Sequence, residues 1–598
     1  MEKRSLITIG VALGVFMLWM LLFPDAWQAP PPAAPPAAAP TSPAASPPAA
    51  PPPASQNMLP ASPSTPPAPG TPALTPPPAS PLAVAPPPAA FGRPAEQVVV
   101  FEEPGLRRLE LSTWGARVRS YQLLDPQYRS GDEQRNLIDI VKGWFGDPVP
   151  PPGAPRPLEL VTAQEEPYWP LGLALPRSGL ELTGRESYDL VAQGSDRALF
   201  RYRDPSGRVQ IDKEYRLRAG SHFFDLFVRI HNLGSQPLPE LTTLNTSGRQ
   251  DPKAGDPGLF TGPGNLQRGV CYVRQEVIRT AVREVPPTGQ VEAGEVLWAG
   301  ADTTYFLQAI LPDGPSRDGL DPQVCAFFHE GDLLNSVYTS APREVLPGSS
   351  VQRHFTIYFG PKSFYQLKDA GRELQRAVDF SPNFFFFKID SLRYICEPML
   401  WLMQTFHGWT GNWGLAIILL TVFVKILLFY FNQKSFESMN AMAQLKPEME
   451  ALRAKCGDDK QKLNQEMMDL YKRHKINPMG GCLPMLLQMP IYIALYQTIF
   501  STAELYKAEF FLHIQDLTAP DPYFVMPILL GVFTFIQQKI MPTATDNQQQ
   551  KMMMYMMTFL FPVMMLFLPA GLVLYILANS VLTIGQQALI RRRRTARA

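Results

Sequence analysis

The sequence lacks the short motifs by which most nucleotide-dependent and hydrolytic enzymes are recognised. Its 598 residues contain no Walker A pattern, no GxGxxG, no HExxH and no GxSxG. The five cysteines include no CxxC and form no cluster with histidine at metal-ligand spacing. The formal net charge is only +1, so the chain as a whole has no general preference for nucleic acid. We therefore predict a protein that is not an enzyme and that uses no metal and no cofactor.

The N-terminal part of the chain consists of an apolar run followed by a proline-rich segment. Residues 5–23 form one uncharged apolar run after Lys3 and Arg4, and the run nearly spans a bilayer core of about 30 Å. Residues 28–95 are almost entirely Pro, Ala and Ser, and such a segment buries too few large apolar groups to offset its ordering entropy. We predict a transmembrane anchor at 1–27, with a cleaved signal peptide as the alternative, and a disordered tether at 28–95.

Residues 96–375 show the alternation that is typical of β-strands. Apolar and polar residues alternate in short runs, and turn residues such as Asp204–Gly207 separate the runs. The clearest runs are Gln97–Glu102, Phe200–Arg203, Gln210–Leu217, Phe223–His231 and Arg353–Phe359. The pattern predicts a large antiparallel β-sandwich. If this domain is periplasmic, Cys271 and Cys325 can pair, although their spacing alone does not show that they are close.

The C-terminal part of the chain is strongly apolar. Residues 376–410 carry apolar side chains at three- and four-residue steps, which predicts an amphipathic helix in the membrane interface, or alternatively a buried soluble helix. A five-helix core at 411–590 follows, with apolar segments at 413–431, 483–501, 523–541, 552–568 and 571–588. With the anchor they make six spans. The predicted fold class is an α+β membrane protein with six transmembrane helices, a β-sandwich domain and a cytoplasmic helical hairpin.

The distribution of basic residues predicts the orientation of these spans. The 432–480 loop carries nine Lys and Arg residues, whereas the 502–522 loop carries only Lys507. The tail at 591–598 is also basic. By the positive-inside rule the 432–480 loop, the N-terminus and the C-terminus are cytoplasmic, and the β domain is periplasmic. The basic tail is interpreted as a topology signal that also touches anionic lipid.

One cation interrupts the span 413–431. Lys425 lies about 10 Å from the cytoplasmic end of this run, where a charge costs about 2–3 kcal/mol unless it reaches water or a partner. Snorkelling is one interpretation, and a water-filled cavity open to the cytoplasm is the other. No Asp or Glu lies in the spans to neutralise the charge, which favours water as its partner. Other polar residues in the spans can line the same cavity: Thr421, Gln488, Gln537, Gln538, Asn579, Ser580 and Thr583.

The loop at 432–480 has the pattern of a helical hairpin. Residues 434–456 and 459–475 are both amphipathic, and Asp458 or Asp459, just before Lys460, can cap the second helix. Few other segments can shield the apolar stripe of the first helix, so we expect a mobile hairpin. A docking arm for the ribosome, a targeting factor or a client is the functional interpretation, and a solvated helix pair is the alternative. The stripe is Met439, Met442, Leu445, Met449 and Leu452.

Several C-terminal motifs together resemble the YidC insertase family. They occur in order over about 383–590, and the preceding anchor, tether and β domain resemble the Gram-negative form of that family. The motifs are Gly457–Gln461, Gln465–Met468, Leu470–Lys472, Asn477–Pro484, Gln488–Ile491, Ala494–Tyr496, Asp521–Tyr523 and Pro569–Tyr575. The resemblance implies a periplasmic β-supersandwich and a five-helix core with a hydrophilic groove that faces the cytoplasm.

The resemblance also implies roles for particular residues. The basic residue of the family's groove, usually Arg, falls on Lys425, and other groove positions fall on Thr421 and Tyr575. Methionine is flexible and suits contact with varied apolar clients, although ordinary lipid-facing packing is the alternative. The predicted groove therefore comprises Lys425, Thr421, Gln488, Gln538, Tyr575 and Asn579. The predicted contacts of the sliding client are Met485, Met489, Met553 and Met557.

The implied function is insertion and folding of inner-membrane proteins, alone or with the Sec translocon. The predicted partners are nascent inner-membrane proteins, the Sec translocon, the lipid bilayer, and the ribosome or signal-recognition factors that bind the hairpin and the basic tail. The flexible tether leads us to expect that the β domain is dispensable for insertion. Three alternatives stay open at this point: a transporter, a purely structural chaperone, and a sugar-modifying enzyme whose acid–base groups would come from His222, His231, His329 and His354.

Overall fold

The computed structural model describes the chain between residues 94 and 595. The predicted anchor and nearly all of the predicted tether lie outside the described residues, as does Asp458. Within the described range the residues left out are 132–152, 181, 183–184, 252–265, 314–321, 382, 385–386, 389–391, 458, 475, 477–482 and 541–547.

The first part of the described chain is built from strands. In chain order they are β1 (Val98–Glu103), β2 (Arg107–Ser112), β3 (Arg117–Leu123), β4 (Arg129–Ser130), β5 (Arg156–Glu159), β6 (Leu173–Ala174), β7 (Asp189–Gln193), β8 (Arg197–Arg203), β9 (Val209–Leu217), β10 (Phe223–Asn232), β11 (Leu238–Glu240), β12 (Thr243–Arg249), β13 (Arg268–Val273), β14 (Glu276–Ala281), β15 (Gln290–Gly294), β16 (Val296–Asp302), β17 (Phe306–Pro312), β18 (Gln323–Glu330), β19 (Leu333–Thr339), β20 (Arg343–Val345), β21 (Ser350–Pro361), β22 (Asn383–Phe384) and β23 (Phe387–Lys388).

The strands form a layered antiparallel β domain. The largest sheet has nine strands in the order β14-β13-β16-β17-β21-β10-β9-β8-β7. A five-stranded sheet, β15-β18-β19-β12-β6, packs on it through contacts of β12 and β19 with β16. A third sheet has the order β1-β2-β3-β5-β4. The predicted antiparallel sandwich is thus confirmed.

Strand β10 shows how the sequence pattern specifies a layer. Leu226, Val228 and Ile230 are fully buried between the sheets, whereas Phe227 and Arg229 on the opposite face are more exposed.

A disulfide joins Cys271 on β13 to Cys325 on β18 and so links the nine-stranded sheet to the five-stranded sheet. The pairing that spacing could not decide is therefore present in the structure.

The second part of the described chain is helical. In chain order the helices are α1 (Phe364–Asp369), α2 (Arg393–Thr410), α3 (Trp413–Leu427), α4 (Phe429–Gln444), α5 (Lys446–Cys456), α6 (Lys460–Arg473), α7 (Leu483–Ser501), α8 (Val525–Ile540), α9 (Gln548–Met564) and α10 (Ala570–Thr595). Helix α2 packs on α3 and α7, while α10 packs on α3, α7 and α8.

The number of membrane spans stays a prediction. Among the described residues, one helical stretch, Ala570–Ile590, is long and apolar enough to cross a bilayer. A second candidate arises if α3 and α4, which are bent by 63° relative to each other, are counted as one span. The apolar helices Val525–Ile540 and Thr558–Phe567 are shorter. The count of six spans is therefore not established by the described helices.

Two predicted elements differ from the structure in their bounds. The run 413–431 does not form one straight helix, because α3 ends at Leu427 and α4 starts at Phe429 in a new direction. The predicted first arm of the hairpin, 434–456, is likewise divided between α4 and α5 at Leu445. The first break has no Pro or Gly beside it, so helix propensity did not reveal it. The second break is marked by Pro447 in the first turn of α5, a position that favours the start of a helix.

The hairpin shields its own apolar stripe, which corrects the prediction that few segments could do so. Leu445 and Met449 are buried against Leu470 and Tyr471 of α6, with further partly buried apolar side chains around them. The phenolic oxygen of Tyr471 donates to the sulfur of Met449 at 3.7 Å. The two arms therefore form a small core of their own, and the argument for mobility from an unshielded stripe no longer holds.

Candidate functional site

Lys425 lies in the last turn of α3 and contacts α10. Helix α3 starts at a well-formed N-cap, where the side-chain oxygen of Asn412 accepts a hydrogen bond from the amide of Leu415 at 3.1 Å. The Nζ atom of Lys425 donates to Oδ1 of Asn579 at 3.1 Å and to Oγ1 of Thr583 at 2.7 Å. Because Asn579 and Thr583 are one turn apart on α10, their oxygens face the ammonium together.

Two tyrosines and a glutamine extend this cluster to α7. Asn579 uses its amide nitrogen to donate to the hydroxyl of Tyr492 at 3.0 Å. The ring of Tyr492 meets the fully buried ring of Tyr575 edge-on, with 5.5 Å between centroids. The buried side chain of Gln488 donates to the hydroxyl of Tyr575 at 2.7 Å. These contacts place polar side chains of α3, α7 and α10 side by side. We call this set of six residues the polar cluster: Lys425, Gln488, Tyr492, Tyr575, Asn579 and Thr583.

The partners of Lys425 are neutral. None of the ion pairs among the described residues involves Lys425, and its hydrogen bonds go to an amide oxygen and a hydroxyl oxygen. The sequence argument favoured water as the partner of this ammonium group, and the structure adds two protein oxygens of α10 as partners. Neutral oxygens solvate a cation without cancelling its charge, so the site can still attract an acidic group.

Two of the predicted groove residues are not hydrogen-bonded to this cluster. Thr421 is buried one turn before Lys425, and its hydroxyl donates to the carbonyl of Ile417 in its own helix at 2.7 Å. Gln538 of α8 accepts a hydrogen bond from Thr558 of α9. Tyr492, which the structure adds to the cluster, was not predicted, because an aromatic residue in an apolar run carries no sequence signal of a polar contact.

The other predicted site residues are only partly described. Met489 is 39% exposed on α7, whereas the side chains of Met485, Met553 and Met557 lie outside the described residues. Asp459 caps α6 by accepting from the amide of Lys462 at 3.0 Å, as predicted. Lys460 is the first residue of α6, and its side chain also lies outside the described residues.

Comparison with known proteins gives a consistent result over most of the chain. Residues 155–402 match the family described as the YidC periplasmic domain, and residues 405–597 match the 60Kd inner membrane protein family. A membrane protein insertase YidC of Anaeromyxobacter sp. (strain Fw109-5) is 38% identical over 452 residues, which are 74% of this chain and 79% of that protein. Its counterpart in Syntrophus aciditrophicus (strain SB) is 35% identical over 448 residues, 73% of this chain and 78% of that protein.

The chain belongs to the YidC family of membrane-protein insertases. The predicted function, membrane-protein insertion, and the inner-membrane location are thereby confirmed at the level of the YidC family. A solved structure described as an active YidC insertase with its first transmembrane domain resolved aligns with 83% of this chain and 94% of that chain at 17% identity. Its TM-score is 0.33, so it supports no argument about the fold.

His354 of the β domain is held between two carboxylates. His222 and His354 line one cavity of about 580 Å³, but both ring nitrogens of His354 are occupied. Its Nε2 lies 2.8 Å from Oδ1 of Asp225, and its Nδ1 lies 2.5 Å from Oδ2 of Asp313. Asp225 is in turn bound by Arg218 at 2.6 Å. These contacts link β10 to β21 and to the loop that carries Asp313.

Proposed function

We propose that the chain inserts nascent proteins through a polar groove centred on Lys425, with Thr421, Gln488, Gln538, Tyr575 and Asn579 along its lining. The observation that carries the proposal is the bonding of Lys425 to the neutral oxygens of Asn579 and Thr583. An ammonium held in this way keeps its charge inside an otherwise apolar helix bundle. That charge offers acidic groups of an incoming segment a favourable position partway into the membrane.

The driving force in this proposal is physical and involves no covalent step. A polar tail that enters a hydrated groove avoids the full cost of dehydration in lipid. The apolar segment of the client then gains roughly 25 cal/mol per Å² of surface that it buries in the bilayer. For an acidic tail that crosses to the periplasm, the membrane potential adds about 2.3 kcal/mol per charge per 100 mV. The client would leave along α7 and α9, with Met485, Met489, Met553 and Met557 as its contacts.

The topology and the partners belong to the same proposal. Six spans with cytoplasmic N- and C-termini would place the hairpin with Asp458, Asp459 and Lys460 on the side where clients arrive. The hairpin and the basic tail at 591–598 would receive clients from the ribosome or from signal-recognition factors, and the chain would act alone or beside the Sec translocon. The positive-inside distribution of Lys and Arg supports this orientation.

The test is insertion of a small client with a short acidic periplasmic tail into liposomes that contain the purified protein. We expect Lys425→Arg to retain activity and Lys425→Ala to lower the initial rate about tenfold, because loss of one charged interaction of 1.5 kcal/mol or more corresponds to that factor. Asn579→Asp should also lower the rate, since a carboxylate at this position would neutralise the ammonium.

The matched control is Lys539→Ala, which removes a Lys that lies over the ring of Phe535 on α8 rather than in the polar cluster. It should insert the client at the normal rate. Equal rates for Lys425→Ala and the unaltered protein would show that Lys425 only snorkels and would refute the charge mechanism. If even the unaltered protein inserted no more client than empty liposomes, a chaperone role beside the Sec translocon would replace autonomous insertion.

A further inference from the structure

An apolar side chain stands at the apex of the turn formed by residues 510–514. Leu512 is 97% exposed, and its neighbour Phe511 is 51% exposed. The backbone of Leu512 has a φ of +58°, in the left-handed region that L residues other than Asn and Asp rarely adopt. Glycine or asparagine would suit both this backbone conformation and contact with water. The combination of backbone strain and full exposure indicates that Leu512 makes a contact outside the chain.

The turn is held in one conformation by backbone hydrogen bonds. The amide of Phe510 donates to the carbonyl of Ile514 at 2.9 Å, and the amide of Ile514 donates to the carbonyl of Phe511 at 3.2 Å. The side chain of Ile514 is buried in the hydrophobic core that also contains side chains of α2, α3 and α10. The exposure of Leu512 is therefore a property of a fixed turn rather than of a loose loop.

The turn is attached to the starts of two helices. The side-chain nitrogen of Asn412, the N-cap of α3, donates to the carbonyl of Phe510 at 3.3 Å. The ring of Phe510 lies so close to Gly414 that a Cβ atom there would come within 2.0 Å of it. On α10, the amide of Gly571 donates at 2.9 Å to the carbonyl of Leu517, just after the turn. The turn thus lies at the end of the helix bundle where α3 and α10 both begin.

A boundary of the membrane is expected at this end of the bundle. The apolar run of α3 starts at Trp413, and the stretch of α10 that is long enough to cross a bilayer starts at Ala570. Both apolar stretches start at the level of the turn, whichever side of the membrane this end faces. Trp409, in the last turn of α2, is 74% exposed at the same end. Tryptophan is enriched where lipid meets water, which supports this placement.

The polar side chains next to the apex are bound within the protein. The Nε2 atom of His513 lies 2.9 Å from Oδ1 of the buried Asp521. Glu509, just before the turn, pairs with Arg129 at 3.1 Å. The outward surface of the turn itself therefore consists of its two apolar side chains. Two side chains are too few for a stable protein interface, which takes about 20–30 residues a side. Among acyl chains, by contrast, one leucine is favoured over water by a factor of about ten or more.

We propose that this turn, residues 510–514, dips into the lipid leaflet, where Leu512 and Phe511 contact acyl chains. The turn is then a lipid-binding element outside the membrane-spanning helices. Because it is attached at Asn412 and Gly414, it fixes the depth of the start of α3, and Lys425 lies roughly 16 Å further along that helix. The inference rests on the membrane location of the family and does not depend on the groove mechanism.

The test places a single fluorescent label at the apex of the turn in the full-length protein, reconstituted in liposomes. Cys396→Ala and Cys456→Ser remove the free thiols, and Leu512→Cys then carries an environment-sensitive dye. The aqueous control is the same dye on Leu346→Cys, at a 60% exposed position in the turn between β20 and β21. Strand β21 separates that turn from the helical part by twelve residues, roughly 40 Å.

The dye on Leu512→Cys should emit at a shorter wavelength than the dye on Leu346→Cys. Its quenching constant for aqueous iodide should be about tenfold lower, because an apolar group of this size favours lipid over water by at least that factor. Lipids with a nitroxide in the acyl chain should quench the first dye and leave the second unquenched. If Leu512→Cys does not fold, Phe511→Cys is the second probe and is judged by the same criteria.

Two results would overturn the proposal. Equal emission and equal iodide quenching of the two dyes would place the turn in water. Protection from iodide without quenching by the nitroxide lipids would show that a protein surface, such as a second copy of this chain, covers the turn. Neither measurement uses a client protein, so a failure of the groove mechanism would leave the result intact.

Discussion

A buried ion cluster in the β domain makes a quantitative prediction about stability. The carboxylate of Asp302 is fully buried and lies 2.9 Å from Nε of Arg268 and 2.5 Å from Nζ of Lys362. A second acid, Asp379, lies 4.0 Å from Arg268. Asp302→Asn keeps the shape of the side chain but leaves Lys362 buried beside a neutral amide. Removal of one partner from a buried pair costs about 3–5 kcal/mol, because the remaining charge has lost its compensation.

This cost should appear as a large shift in thermal unfolding. For a domain of this size, each kcal/mol lowers the unfolding midpoint by roughly 2–4 °C, so Asp302→Asn should lower it by roughly 10 °C. The double variant Asp302→Asn with Lys362→Met removes both charges and should recover part of the loss, since apolar side chains often replace buried ion pairs at little cost. The change would be followed by intrinsic fluorescence of the full-length protein in detergent.

An exposed pair of the same domain provides the control. Arg216 lies 2.7 Å from Glu214, and its side chain is 52% exposed. Glu214→Gln should change the free energy of unfolding by less than about 1 kcal/mol, because solvent screens such a pair. If Asp302→Asn shifts the midpoint no more than Glu214→Gln does, the argument from burial is wrong.

Two further predictions concern the β domain. Burial lowers the pKa of His222 to about 4, whereas an unfolded His titrates near 6.5. The stability of the domain is therefore unaffected by this group above about pH 6.5 and falls by about 3 kcal/mol as the pH drops to about 4. His222→Gln should flatten the pH dependence of the unfolding midpoint, and an unchanged pH dependence would contradict this reasoning. Replacement of both Cys271 and Cys325 by Ser opens a disulfide with a sequence separation of 54 and should cost about 4 kcal/mol, and an unfolding midpoint insensitive to the double replacement would contradict a formed disulfide.

The strands of the β domain were predictable from the sequence because the patterns that specify them extend over only a few neighbouring residues. The alternating run Phe223–His231 corresponds to β10, and the run Gln210–Leu217 corresponds to β9. The residues Asp204–Gly207 predict the turn between β8 and β9, and in the structure Gly207 adopts a φ of +71°, a value that favours glycine. Period-two alternation and turn residues act over a few positions, so they can be recognised before any tertiary contact is known.

The contacts that connect distant parts of the chain were not predictable in this way. Gln127 is separated by 377 positions from Glu504, and nothing in a polar loop residue shows that it will face a 3₁₀ turn so far along the chain. The same limit explains the break between α3 and α4, since the apolar run continues through Leu428 without a change in composition. The assignment of a β domain and a helical region follows from local patterns, while the contact of Gln127 with Glu504 and the bend between α3 and α4 depend on packing.

Lys425 shows what the structure adds to the sequence argument about function. The absence of intramembrane acids led us to expect water as the partner of Lys425, because hydrogen-bond partners 154 and 158 positions away cannot be recognised from the sequence pattern. The distinction matters for mechanism. A carboxylate partner would neutralise the ammonium and force an incoming acid to displace it, whereas amide and hydroxyl oxygens stabilise the ammonium and leave its attraction for an acid in place. In the mechanism that we propose, a neutral polar cluster around one cation would therefore combine a stable resting helix bundle with transient binding of acidic clients.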